Sequence, residues 1–389
     1  MPPPPSLPDL AARFLRLGAC AFGGPVVQIA TLHDEFVVRT SAVDEGRFRR
    51  ALAVYQALPG PEATEMCIWV GTVLRGRIGG LVAGLAFVLP GLALMLVACA
   101  LLFALEPWPP AVRAAFLGMQ AAVVALVVRA AWRLFAIATN GDPWLRGIAI
   151  SAALGAWFEV SFAASLVGGG LLAAAMATRR DRLRRAATLL VPTAWLVVGA
   201  IWHGSAPVAD AAGIGAAPPN GELLATGLRA GLLTFGGAYT VIPFLQADAV
   251  GAAGWMTNER FLAGLAIGGV LPAPMVIVGT WVGWAGGGLT GAMLLTLGIF
   301  LPAFVLPLAL HERLERAAAN VRWHAFLDGV TAAVTGIVAA VAARLVAGLE
   351  SPFAAVLAIG ALAALTMLRM RLAASVVLTS AALVGMLAG

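Results

Sequence analysis

The sequence predicts an all-α polytopic membrane protein made of two homologous repeats, inverted relative to each other and containing broken or re-entrant helices. Three observations predict this. Of 389 residues, 61% are hydrophobic and only 11% charged, with a mean hydropathy of +0.93; a soluble domain carries about 25% charged residues. A set of glycine and proline breaks occurs twice at a nearly constant offset. The arginines fall in short loops whose placement differs between the two halves.

The spans follow from the apolar stretches. Residues 79–105, 114–131 and 291–310 come close to the roughly 20 apolar residues that a crossing helix needs. Residues 147–158, 162–177 and 353–368 are shorter and predict tilted, half-length or tightly paired helices, so about nine crossings plus re-entrant pieces are expected. The net charge of +6 comes wholly from arginine, since there is no lysine. Arginines in loops between apolar segments fit the positive-inside rule, and no nucleic-acid partner is expected. Cys20, Cys67 and Cys99 have neither paired nor ligand-like spacing and read as small hydrophobes. His33, His203, His311 and His324 are scattered, so no metal site is expected. The first ten residues, MPPPPSLPDL, lack the basic and apolar regions of a signal peptide, and insertion is expected to use internal helices.

The repeat is visible residue by residue. Phe22-Gly23-Gly24 recurs as Phe235-Gly236-Gly237, 213 residues later. The same offset carries Glu35 to Asp248, Phe48 to Phe261, and Leu58-Pro59-Gly60-Pro61 to Leu271-Pro272-Ala273-Pro274. At an offset of 212, Trp69-Val70-Gly71 becomes Trp281-Val282-Gly283 and Leu89-Pro90 becomes Leu301-Pro302; at 211, Arg133-Leu134 becomes Arg344-Leu345. Residues 1–185 form the first repeat, 186–221 a linking transmembrane helix with an external loop, and 222–389 the second repeat. In the first repeat arginines cluster at 39–50, 75–77, 129–146 and 179–185, which assigns those loops to the cytoplasm. The chain therefore leaves and returns to one side over 48–74, a re-entrant hairpin bent at Leu-Pro-Gly-Pro. A crossing over 188–202 would invert the second repeat. There the equivalent loops, 246–260 and 284–290, carry one arginine, while Arg313, Arg316, Arg322, Arg369 and Arg371 fall on the other side. Inverted repeats sharing a site near the membrane midplane are a recurrent transporter architecture.

The breaks are the candidate chemistry. Adjacent glycines expose backbone and admit close approach, and proline removes a donor and stops a helix. Such breaks survive in lipid only where protein or a wet cavity covers them. Two inverted repeats would aim helix N-termini, with their free N–H groups and partial positive charge, at one point suited to an oxyanion. The candidate binding residues are Phe22, Gly23, Gly24, Pro25, Gln28, Gln56, Pro59, Gly60, Pro61 and Thr64 in the first repeat. Phe235, Gly236, Gly237, Tyr239, Pro272 and Pro274 are their counterparts in the second. Thr31, Thr234, Thr240 and Gln246 are further hydroxyl and amide donors; any one of them alone, like Gln28, Gln56, Thr64 or Tyr239, reads first as a helix–helix hydrogen bond. Glu62, Glu65, Arg133 and Arg344 are coupling candidates, because ionisable groups at membrane depth are scarce. Glu62 and Glu65 could carry protons or pair with an arginine, and the two arginines could simply snorkel to the interface.

Phe22-Gly23-Gly24-Pro25 followed by Glu35-Phe36-Val37, Gln56-Ala57-Leu58-Pro59-Gly60-Pro61 with Trp69-Val70-Gly71, and the second Phe-Gly-Gly together resemble the chromate ion transporter family in its long, two-domain form. The resemblance implies a bacterial or archaeal inner-membrane protein that expels chromate and confers resistance, with sulfate as competitor. Two positions depart from the family pattern: Gln28 where members often have histidine, and Trp69 where tyrosine is common. The expected partners are a chromate- or sulfate-like oxyanion, the lipid bilayer and, as an open assembly state, a second copy in a homodimer; no cofactor is expected. A dianion leaving a negative-inside cell gains roughly 4–5 kcal/mol per 100 mV, so efflux needs no nucleotide, and there is no Gly-x-x-x-x-Gly-Lys-Ser/Thr loop. An anion channel of the same architecture is the alternative. A membrane-embedded enzyme is disfavoured by the lack of clustered carboxylates, histidines or a nucleophile with its base.

Overall fold

The computed structural model describes residues 5–56, 58–158, 160, 162–177, 216–235, 238–251, 254–318, 321–349, 351–368, 370 and 372–388. Among these residues every regular element is a helix, the form that satisfies its own backbone groups in lipid. The expected linking helix over 188–202 lies outside the described residues.

The first repeat opens with α1 (Leu7–Ala19), capped by Ser6, whose hydroxyl accepts from the Asp9 N–H at 3.2 Å. It stops at the first Phe-Gly-Gly. α2 (Pro25–His33) starts on proline, a residue suited to a helix's first turn where its missing N–H goes unused, and runs on into a π-helical turn, Asp34–Arg39. α3 (Glu45–Gln56) leads to Leu-Pro-Gly-Pro, and α4 (Glu62–Ala104), α5 (Pro110–Thr139), α6 (Pro143–Trp157) and α7 (Phe162–Met176) follow. The second repeat has the same list: α8 (Asn220–Leu232), a 3-10 turn Ala238–Thr240 leading into α9 (Val241–Val250), and α10 (Asn258–Val270). After Leu-Pro-Ala-Pro come a 3-10 turn Met275–Ile277, α11 (Val278–Ala318), α12 (Val321–Ala347), α13 (Pro352–Met367) and α14 (Ala373–Ala388).

At 43 residues, α4 would be about 65 Å long if straight. It folds back instead. Arg75 (φ −142°, ψ 24°) and Gly76 (φ 64°, ψ −164°) leave helical geometry, and the second lies where glycine alone sits without strain. A Cβ on Gly71 would overlap the Gly79 carbonyl oxygen, and one on Gly84 would lie 2.5 Å from the Ile68 side chain. In one continuous helix residues 71 and 79 would be about 12 Å apart. Residues 62–74 (α4a) and 77–104 (α4b) are therefore an antiparallel pair. α11 reverses in the same way at Gly287 (φ −164°, ψ 28°) and Gly288 (φ 58°, ψ −146°). Its two arms touch at Gly283 and Gly291 and share a Thr280–Thr296 hydroxyl hydrogen bond of 2.7 Å. α3 lies beside α4a, where the Phe48 and Trp69 rings meet edge to face at 6.1 Å. Both are about 20 Å long, too short for a bilayer core of about 30 Å. This is the shape of the expected re-entrant hairpin.

The repeat extends to packing. Gly18 of α1 sits against the Phe87 carbonyl of α4b, and Gly231 of α8, 213 residues on, sits against the Ile299 carbonyl of α11. The chain forms two compact units: Met1–Leu126, Ala211–His311 and Glu350–Gly389 in one, Val127–Asp210 and Glu312–Leu349 in the other. Both draw on both repeats. In the first unit Gly118 of α5 abuts the Ala381 carbonyl of α14; in the second, Gly329 of α12 abuts the Gly169 carbonyl of α7. The long helix of each repeat thus packs on the short terminal helices of the other, through the small residues that membrane interfaces favour.

Among the described residues, four stretches are long and apolar enough to cross a membrane: Glu62–Ala104, Pro110–Thr139, Met275–Ala309 and Arg322–Ala347. The shorter helices expected around 147–158, 162–177 and 353–368 are present as α6, α7 and α13. Outward-facing apolar residues such as Val356 and Ile359, about 70% exposed, are what a lipid-facing surface requires.

Candidate functional site

Within the first compact unit the breaks of the two repeats meet. The N–H of Gly60, in Leu-Pro-Gly-Pro, donates to the carbonyl of Thr234, just before the second Phe-Gly-Gly, at 2.7 Å. Reciprocally, the Gln28 amide of α2 donates to the carbonyl of Ala273 in Leu-Pro-Ala-Pro at 3.4 Å, and to Ala21 O at 2.8 Å. A Cβ on Gly24 would stand 3.7 Å from the Tyr239 hydroxyl, which brings the two Phe-Gly-Gly regions together as well. Gly91 of α4b backs the arrangement by closing on Ala273. Each break ends one helix and begins another, so the N-terminal ends of α2, α4a, α9 and α11 gather where partial positive charge favours an anion.

Each break has local causes. Gly24 (φ 78°) caps α2 with no side-chain hydrogen bond. Gly60 has φ 149°, and a Cβ there would meet the Glu65 carboxyl at 2.6 Å. Pro59 and Pro61 on either side stop α3 and start α4a.

The structure separates the expected residues into groups. Gln28, Gly60, Pro61, Glu62, Thr64, Glu65, Phe235 and Pro274 are buried at the convergence, and Phe22, Pro25, Pro59, Tyr239 and Pro272 are half-buried. Gly23 and Gln56 are exposed. Gly236 and Gly237 lie outside the described residues. Among the other donors, Thr234 bonds the Ala230 carbonyl at 2.6 Å, Thr31 bonds Val27 O at 2.8 Å, and Gln246 bonds Asn258 at 2.9 Å. Arg133 and Arg344 belong to the second compact unit. Arg133 is exposed. Arg344 donates at 2.9 Å to the carbonyls of both Ala156 and Trp157, and its guanidinium lies over the Trp157 ring; it caps the C-terminal end of α6. Several buried polar atoms at the convergence have no hydrogen-bond partner: Gln28 Oε1, Thr64 Oγ1 and both Glu65 oxygens. Among the described residues no cluster of ligands could hold a metal.

The family comparison agrees with this architecture. The chromate transporter family matches the chain twice, over residues 8–175 and 221–386. The chain belongs to the chromate transporter family. This is a family of transport proteins, not of enzymes, and its members are multi-pass membrane proteins. The chain is 47% identical to a chromate transport protein of Pseudomonas aeruginosa over 87% of its own length and 81% of the relative's. It is 28% identical to the chromate transport protein of Cupriavidus metallidurans over 98% of its length and 93% of that protein. A probable chromate transport protein of Synechococcus elongatus, 28% identical, covers 86% and 83%. No solved structure matches this family member.

Sequence reasoning missed Gly91 and the backbone roles of Thr234 and Ala273. Thr234 and Ala273 enter through backbone carbonyls, which side-chain reading cannot detect. Gly91 enters only through tertiary approach. The reversals at Arg75-Gly76 and Gly287-Gly288 did leave a signal, since both sit in glycine-rich stretches at the repeat offset.

Proposed function

We propose that this protein is a secondary transporter that exports chromate, or a similar oxyanion such as sulfate, across the inner membrane and so gives chromate resistance. The anion would bind where the four breaks converge. The observation that carries the proposal is the reciprocal bonding of the breaks, Gly60 N–H to Thr234 O and Gln28 amide to Ala273 O. It makes one site from both repeats. Four helix N-termini supply oriented partial charge there, which suits a dianion that must be released again. Opposite orientation of the repeats, supported by the arginine distribution, would let one repeat rock against the other around the site. The relatives' names supply the substrate class. Export uses the membrane potential at about 2.3 kcal/mol per charge per 100 mV.

The test is radiolabelled chromate uptake into everted vesicles, comparing wild type with Gly23→Val and Gly236→Val and using sulfate as competitor. Potential-driven uptake that sulfate inhibits, and that either substitution abolishes in normally inserted protein, is the expected result. No uptake by well-inserted wild-type protein under an imposed potential would refute chromate as substrate. Flux that never saturates would favour an open channel.

A further inference from the structure

Glu65 is a buried acid at the convergence that the anion site does not use. Its side chain is fully buried, and neither carboxylate oxygen has a hydrogen-bond partner. It sits one turn into α4a, with its carboxyl filling the space that the missing Cβ of Gly60 leaves open. Gly60 is also the residue whose N–H holds the second repeat's break.

The second repeat serves as an internal control. It builds the same broken helix with Val278 in the place of Glu65, Ala273 in the place of Gly60 and Met275 in the place of Glu62. The fold therefore does not require an acid here. An unpaired buried carboxylate is costly, and a group kept at that cost inside a membrane protein is a functional candidate.

The surrounding charges are committed elsewhere. On α1 and α2, Arg13 reaches Glu35, Asp9 accepts from Ser6, and His33 reaches Glu45. On α3, Arg49 bonds Glu45, Arg47 lies over the Trp69 ring, and Arg50 is exposed. Arg16 of α1 and Arg77 of α4b are exposed, and Arg75 bonds the Pro5 carbonyl. On α10, Arg260 pairs with Glu106 and Glu259 with Arg113. The titratable groups left nearby are the buried Tyr55, Cys67 and Glu62 and the half-buried Tyr239. Among the described residues no ion pair to Glu65 is present.

We propose that the Glu65 carboxyl is the proton-coupling site of the transporter, taking a proton from water when the oxyanion enters the convergence and returning it when the anion leaves. The reason is like-charge repulsion: a dianion and an ionised Glu65 repel each other strongly at this buried position, whereas a dianion and a protonated Glu65 do not. Proton and anion then bind together, and one net negative charge moves per cycle instead of two. This rests on the oxyanion reading of the site.

The experiment uses full-length protein in proteoliposomes clamped at zero potential, with chromate as substrate. A pH gradient of one unit should change the wild-type accumulation ratio about tenfold, one proton per anion, and leave that of Glu65→Gln unchanged. Chromate's own protonation is common to both proteins. An unaltered pH-driven response in Glu65→Gln overturns the proposal. If Glu65→Gln is inactive, Glu65→Asp and Glu62→Gln decide. A coupled Glu65→Asp supports the assignment, and an uncoupled Glu62→Gln beside an inactive Glu65→Asp moves the site to Glu62 and overturns it. If wild type moves neither chromate nor sulfate, the substrate reading fails by itself. The proton site is then judged by infrared difference spectra, where a pH-sensitive carboxyl band that Glu65→Gln removes supports it and no such band overturns it.

Discussion

The packing of Gly60 on Glu65 can be tested as a coupled pair. Gly60 has φ 149°, and a Cβ there would lie 2.6 Å from Glu65 Oε1 and 2.9 Å from its Cδ. In Gly60→Ala the backbone strain costs on the order of 1–3 kcal/mol. Forcing the carboxyl aside in a filled site costs about another 1–3 kcal/mol. Glu65→Val removes the carboxyl and the penalty of its burial, so it should be neutral or stabilising. The double variant keeps the φ strain and loses the clash, giving a coupling energy of about 1–3 kcal/mol, the range of residues in direct contact. Thermal unfolding of the four proteins in lipid nanodiscs, followed by tryptophan fluorescence, measures the cycle. Each kcal/mol corresponds to a shift of about 2 °C in a chain this large. Additivity to within about 0.5 kcal/mol would refute the argument that glycine is needed there to accommodate the acid.

Gly18→Val and Gly231→Val should destabilise to a similar degree, by about 2–4 kcal/mol, because each drives a side chain into the backbone of Phe87 or Ile299; a large inequality in their melting temperatures would argue against equivalent packing in the two repeats. Arg344→Ala should cost about 1–2 kcal/mol by uncapping α6 while leaving the rate of chromate transport per inserted molecule unchanged; loss of transport without loss of stability would return Arg344 to the coupling candidates. Hydrogen bonds from His33 and then Arg49 hold the Glu45 carboxyl below the usual carboxylate range. Its stabilising contribution is therefore complete above the ordinary carboxylate pKa and is lost as pH falls through the depressed value, so Glu45→Gln should flatten the acid-side decline in melting temperature.

The fold was legible because lipid narrows the choices: charge scarcity, glycine and proline breaks and arginine-bearing loops each report a physical constraint on the chain. The hairpin of α3 and α4a, the short α6, α7 and α13, and the meeting of the breaks were all expected from these signals. What the sequence hid depends on tertiary approach. The reversal of the 43-residue α4 at Arg75-Gly76 falls in the expected arginine loop at 75–77, whereas the tight contact of its two arms, with Gly71, Gly79 and Gly84 touching across it, was hidden. The exchange of terminal helices was likewise hidden, because Gly118 and Gly329 are ordinary helix glycines until Ala381 and Gly169 close on them. As a result the compact units follow the packing and not the repeat boundaries.

The differences between the repeats say more about function than the likeness does. Where the halves agree, as at the Gly18–Phe87 and Gly231–Ile299 contacts or the paired reversals at Gly76 and Gly288, they report what the fold needs. At the convergence they part: Gly60, Glu62 and Glu65 face Ala273, Met275 and Val278 at the matching positions. A symmetric cradle of helix N-termini would hold a dianion equally from both sides and give no means of changing its grip. Under the proposed coupling, a buried acid in one repeat only would make that repeat responsive to a proton and leave the other as a fixed apolar wall. One broken helix would then bind according to whether Glu65 is charged, while its counterpart would keep the geometry of the site.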